Sequence, residues 1–257
     1  MNIFAPVGRA VLLFLAVIGN LSRFTVRSVW DSLTPPYFLR LTGRQLLRIG
    51  YFSLPVVGLT AFFTGGVLAL QIYIGGSRFN AEGIVANIVV LGITRELGPV
   101  LAGLIVAGRV SAAIAAEIGT MRVTEQIDAL STLSTNPFKY LMAPRIIAAV
   151  ICLPLLVAIA DTVGVLGGVV VGTQSLGFNP AVYLKNTVDF LEFGDVTSGL
   201  IKSAVFGFII ALMGCYNGYY SEGGAQGVGR ATTNAVVSAS ILILASNYFM
   251  TSIFFSE

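Results

Sequence analysis

Charged residues are nearly absent from five stretches of the chain, and the spacing of those stretches predicts the fold. No charge occurs between Ile49 and Ser77. Gly83 to Gly108 is uncharged except for the neighbours Arg95 and Glu96, with twelve uncharged residues on either side. Ile146 to Leu184 holds only Asp161, and Ser203 to Ser221 and Ala231 to Ser256 hold no charge. A helix rises about 1.5 Å per residue, so about 20 apolar residues cross a hydrocarbon core of about 30 Å. The pattern predicts an all-α integral membrane protein with five transmembrane helices, over residues 49–77, 83–116, 143–172, 202–221 and 231–256. Residues 1–48 precede them as an N-terminal segment with interfacial amphipathic character. Within it, Val11 to Ile18 is a short apolar run followed by Arg23 and Arg27 rather than by a small-residue cleavage site, which argues against a signal peptide. Arg40, Arg44 and Arg48 recur every four residues, on one helical face.

Composition agrees. The chain is 56% hydrophobic and 11% charged, with a mean hydropathy of +0.88; soluble domains carry roughly 25% charged residues. Histidine is absent, which removes the commonest general base and metal ligand. Cys152 and Cys215 lack CxxC spacing and read as small packing residues. No catalytic residue, metal site or nucleic-acid partner is expected.

Charge distribution sets the orientation. The first 48 residues carry six arginines against Asp31, so the positive-inside rule places the N-terminus in the cytoplasm and, after five crossings, the C-terminus in the periplasm. The 109–145 connection, with Arg109, Arg122, Lys139 and Arg145, is then cytoplasmic. The 174–199 connection, with Lys185 against Asp189, Glu192 and Asp195, is external.

Arg95 and Glu96 are the first candidates for function. The uncharged flanks place them near the bilayer midplane, where an ionised group costs at least about 2.5–3.5 kcal/mol and normally faces protein or a watery path. As helix neighbours they point about 100° apart, so each needs a partner on another helix or a ligand. An arginine fork suits phosphate or carboxylate; a buried ionic brace between helices explains the same pattern. Pro99 removes a backbone donor at this level and favours a kink. Lys202 and Arg230, judged by residue type alone, read as flank anchors. Asp161 either faces water or bonds a neighbouring helix. Gly164, Gly168 and Gly172 form a small-residue strip best suited to packing within the chain. Ala116 to Leu133 alternates acids and bases before Asn136-Pro137, and predicts a short helix lying across the cytoplasmic face. It either seals the bundle or docks a soluble partner. Gly224 to Thr232, GAQGVGRAT, imitates a phosphate loop but has Arg230 for the lysine and Ala231 for the hydroxyl residue. It reads as an interhelical loop, so ATP and Mg would belong to a partner.

At these motifs the chain resembles the MlaE/YrbE permease family, the membrane subunit of lipid-transporting ABC systems that act with MCE proteins. The likeness runs through Leu70-Gln71, ITRELGP at Ile93 to Pro99, AGR at Ala107 to Arg109, AEIGTMRVTEQIDAL at Ala116 to Leu130, IKS at Ile201 to Ser203, NGY at Asn217 to Tyr219 and GVGRATT at Gly227 to Thr233. Asn247 departs from it, standing where some relatives carry an acid.

The resemblance implies a homodimer in the bacterial inner membrane, a cytoplasmic ABC ATPase dimer, a periplasmic MCE-domain hexamer and, as an optional further partner, a small STAS-domain protein. It implies a phospholipid cavity between the copies, with Arg95, Glu96, Lys202 and Arg230 as polar contacts and Leu70, Tyr73, Ile74 and Leu97 as apolar wall. It places ATPase coupling on Glu117, Met121, Arg122, Glu125 and Asp128. The expected function is transport of phospholipid between inner and outer membranes, maintaining outer-membrane lipid asymmetry. The rival readings are an ion-coupled secondary transporter using Glu96 and Asp161, and a non-transporting scaffold for the MCE ring.

Overall fold

The computed structural model describes residues 5–77 and 84–255. Gly83 and Ser256, the expected outer ends of spans two and five, lie outside the described residues. We number the helices α1 (Ala5–Leu33), α2 (Leu39–Ser77), α3 (Val85–Val123), α4 (Gln126–Thr132), α5 (Phe138–Gln174), α6 (Pro180–Phe190), α7 (Phe193–Tyr219) and α8 (Gly224–Phe255). No strand occurs among the described residues. Helices α2, α3, α5, α7 and α8 are long and apolar enough to cross a membrane, in agreement with the five expected spans.

The boundaries differ from expectation where a charge is paired inside the bundle. α7 begins at Phe193 rather than 202, because Asp195 and Lys202 are buried within it. α3 continues to Val123, with Glu117 held by arginines of two neighbouring helices. The expected loop Gly224–Thr232 is helical and forms the first turns of α8. Gly223 and Gly224, at φ +86° and +69°, make the reversal from α7 instead. The 174–199 connection contains α6, started by Asn179, whose Oδ1 accepts the Ala181 and Val182 amides, with Pro180 at the first helical position.

The core lies between α3, α5 and α7. Phe206, Ile210, Leu153, Val157, Val106 and Ile243 are buried in one cluster. α2 packs closely on α5: a Cβ on Gly65 would overlap the Gly164 carbonyl. Gly164 and Gly168 meet α2 and α3, and Gly172 meets Tyr183 of α6. The glycine strip is therefore an internal packing surface. Cys152 and Cys215 are free and buried.

α1 docks at one end of the bundle. Phe24 inserts among Phe138, Tyr216, Tyr219 and Tyr220 at centroid distances of 5.2–6.1 Å. Asn136 Nδ2 reaches both Asp31 carboxylate oxygens at 3.2 Å. The other face of α1 exposes Leu12, Leu15, Val26, Trp30 and Leu33. This Arg-rich end also holds the start of α2, the end of α3, α4 and the α7–α8 reversal. The opposite, α6 end holds the starts of α3 and α7 and the end of α8.

Candidate functional site

Pro99 shapes the backbone beneath the charged pair. Residues Ile93–Leu97 form a wide turn in which the Gly98 amide bonds the Ile93 carbonyl, five residues back. Proline has no N–H, so the Arg95 carbonyl four residues earlier has no helical donor from that position. Lys202 Nζ fills the vacancy at 2.9 Å. Thr94 directs its carbonyl at Gly199 of α7, where any Cβ would collide with it.

Arg95 and Glu96 diverge, and both find partners on α7, seven residues apart. Arg95 Nε and Nη2 each lie 2.6 Å from Asp195 Oδ1, and the guanidinium stacks 4.3 Å from the Phe255 ring centroid. Asp195 Oδ2 accepts the Glu192 amide at 3.1 Å, so this one acid both caps α7 and holds Arg95. Glu96 Oε1 accepts from Lys202 Nζ and Thr251 Oγ1, both at 2.8 Å, and Oε2 accepts from Asn247 Nδ2 at 2.8 Å. Thr251 Oγ1 in turn receives Lys202 Nζ at 2.7 Å. Asn247 is thus the amide complement of Glu96, where a second acid would have faced it.

Exposure separates the four charges. The Lys202 side chain is 0% exposed and Asp195 2%, whereas Arg95 is 33% and Glu96 37% exposed. The three hydrogens of Lys202 are matched by Arg95 O, Glu96 and Thr251. Arg95 borders an open cleft of about 660 Å³, lined also by Glu192, Asp195, Thr197, Ser198, Phe254 and Phe255. Arg95 is the cation in that lining, beside the Phe254 and Phe255 rings and the acids Glu192 and Asp195.

The pair does not stand at the centre of the bundle. Its partners lie in the first turns of α7 and the last turns of α8, so the cluster sits toward the α6 end. α3 runs beyond Arg109 to Val123, so the pair lies nearer the α6 end of that helix. Asp161 does not face water: it is buried with its carboxylate against Gly98, and its Oδ1 lacks a hydrogen-bond partner, so the alternative bond to a neighbouring helix is not seen for that oxygen.

The other candidates scatter. Arg230 is exposed at the Arg-rich end, in a cleft of about 350 Å³ with Tyr216, Tyr220 and Glu222. It stands about 25 Å along α8 from Asn247, so the structure does not bring it to Arg95. Leu97 lines a narrow apolar groove with Val57, Thr64, Leu101 and Ile105. Leu70 is half-buried and Ile74 exposed, while Tyr73 packs 5.8 Å from the Phe178 ring in a separate small core under α6. None of these three lines the Arg95 cleft.

The expected single helix over Ala116–Leu133 is two pieces. Glu117, Met121 and Arg122 end α3, Glu125 occupies a left-handed turn at φ +59°, and Asp128 lies on α4. Arg122 bonds Asp128 at 2.6 Å across the turn. Glu117 pairs with Arg145 at 2.9 Å and Arg48 at 3.4 Å, linking α3 to α5 and α2. Met121 packs on the core, while Glu125 and Asp128 are exposed. Sequence reasoning missed Asp195, Asn247 and Thr251 as partners, and took the buried Arg145 for a loop cation. The one available signal was that two diverging midchain charges require two complements.

Comparison with known proteins gives these motifs a family. The family model described as Permease MlaE matches residues 42–253. A probable ABC transporter permease protein of Rickettsia conorii is 60% identical, over 99% of this chain and 98% of its own length. One of Synechocystis is 42% identical over 84% of this chain and 82% of its own. The intermembrane phospholipid transport system permease protein MlaE of Haemophilus influenzae is 31% identical over 99% and 98%. The chain belongs to the MlaE family of ABC transporter permeases.

Proposed function

We propose that this chain is the non-catalytic membrane subunit of an ATP-driven phospholipid transporter, and that the Arg95 cleft receives the lipid headgroup. The observation carrying this reading is the asymmetry of the cluster: Lys202 is enclosed and paired with Glu96 behind the cleft, while Arg95, a third exposed and held by the buried Asp195, borders it. A guanidinium already oriented by a carboxylate and stacked on Phe255 is suited to a phosphate diester. Lys202 then acts as the brace that holds Glu96 and the Arg95 backbone, rather than as a headgroup contact. The phospholipid named for the Haemophilus relative supports the substrate class.

The chain works as a homodimer in a bacterial inner membrane. α8 favours this: Val237, Ile241, Leu244 and Tyr248 form an exposed stripe at helical spacing, and only 11% of its most apolar stretch is buried, against 56% in α7. The concentration of arginines at the α1 end supports a cytoplasmic position for that end and the N-terminus, with the α6 end in the periplasm. ATP and Mg belong to a cytoplasmic ATPase dimer docking on α4 and the Glu125 turn, and an MCE ring meets the α6 end, where lipid passes between membranes to maintain outer-membrane asymmetry.

The test is transfer of labelled phospholipid between donor and acceptor vesicles, with the chain reconstituted together with its co-purifying subunits. ATP-dependent transfer that Arg95→Gln abolishes supports the reading. Transfer driven by a proton gradient without ATP, or none at all from an intact complex, contradicts it.

A further inference from the structure

We infer a second lipid site at the Arg-rich end of α2 and α3, which holds the headgroup phosphate of an anionic lipid from the adjoining leaflet. A cleft of about 160 Å³ opens there between Gln45, Arg48, Phe52, Arg109, Val110 and Glu117. Arg109 is fixed at its wall: Nη1 donates to Ser53 Oγ at 2.6 Å and to the Arg48 carbonyl at 3.4 Å, and the guanidinium stands 5.9 Å from the Phe52 ring centroid. The Arg48 side chain is 63% exposed. Arg44 and Arg40, one and two turns earlier, are also exposed.

The single acid in the cleft does not cancel this charge. Glu117 is already shared by Arg145 and Arg48, and Arg109, bonded instead to Ser53 and the Arg48 carbonyl, adds a further cation to the cleft wall. Apolar surface adjoins the cations: Leu47, Tyr51, Phe52 and Leu54 are exposed on α2. Cations beside a greasy ledge suit a phosphate carrying acyl chains, and clustered arginines at a membrane boundary recognise anionic lipid. Arg109 lies fourteen residues beyond Arg95 on α3, about 21 Å away, so one headgroup cannot serve both. The inference rests on the membrane reading of the five long helices and is independent of the role proposed for Arg95.

Native mass spectrometry of the purified full chain, titrated with phosphatidylglycerol or with phosphatidylcholine of the same acyl chains, tests it. Phosphatidylglycerol is expected to bind more tightly. Arg48→Gln weakens that preference about fivefold and Arg44→Gln with Arg48→Gln about 25-fold, near a factor of five per cation, while Lys185→Gln, which removes an exposed cation of α6, leaves it unchanged. Arg40→Gln with Arg44→Gln, which removes only exposed groups, provides the same loss if Arg48 variants fold poorly. Equal binding of both lipids, a preference untouched by the arginine variants, or an equal loss in Lys185→Gln overturns the site. Competition by millimolar soluble glycerol phosphate also overturns it, by showing a free-anion site.

Discussion

The Lys202 ammonium lies 2.9 Å from the Arg95 carbonyl, the acceptor that Pro99 cannot satisfy. A side chain from α7 thus completes the hydrogen bonding of a broken turn in α3, and the same ammonium fixes Glu96. Pro99→Ala restores a backbone donor and relieves Lys202 of one of its three acceptors. A double-mutant cycle of Pro99→Ala and Lys202→Met, read by thermal unfolding in detergent, should show coupling of about 0.5–3 kcal/mol, the range for residues sharing one network. Additive effects would place the two residues in separate networks.

Among the described residues, Glu96 is the only carboxylate within salt-bridge distance of Lys202. Glu96→Ala leaves a fully enclosed ammonium unpaired, which costs about 3–5 kcal/mol when one partner of a buried pair is removed. Combining Glu96→Gln with Lys202→Met removes both charges and should recover most of that loss. Unfolding midpoints of the single and double variants check the order.

Arg95 differs from Lys202 because its function is assigned to the exposed edge. Arg95→Lys keeps the charge but loses the planar fork that meets Asp195 and stacks on Phe255. Lipid transfer should fall about tenfold or more, corresponding to at least about 1.4 kcal/mol, with the unfolding midpoint changed less than in Glu96→Ala. Transfer assays and melting curves on the same preparations separate the two effects.

Glu117 and Glu125, eight residues apart, should respond differently. Glu117→Ala strands the buried Arg145 guanidinium and lowers stability. Glu125→Arg touches an exposed turn, should leave the stability within about 0.5 kcal/mol of the parent, and should weaken capture of the ATPase subunit in pull-down. Equal loss of stability in both would remove the distinction between an internal latch and a docking surface.

Much of the fold was legible because hydrocarbon permits few charges. The uncharged runs marked all five crossing helices, and glycine spacing marked the α2–α5 contact through Gly164. The same rule misplaced the ends wherever a charge is matched inside the bundle: Asp195, Lys202 and Glu117 were read as boundary markers but lie within helices. α6 was hidden because Asn179-Pro180 begins a helix as readily as it ends one. Arg95 and Glu96 were found because adjacent helical charges cannot satisfy each other. Their partners were not, since Asp195 is a hundred residues away and Asn247 and Thr251 carry no charge. Local spacing tells that complements must exist; only packing tells which helix brings them.

A density map of the lipid-loaded protein in nanodiscs tests the central assignment most directly. The account predicts a phospholipid in the Arg95 cleft, its phosphate within hydrogen-bonding reach of the guanidinium, with Lys202 still enclosed by Glu96 and Thr251. Lipid density confined to other surfaces, with Arg95 contacting only Asp195 and Phe255, would contradict it.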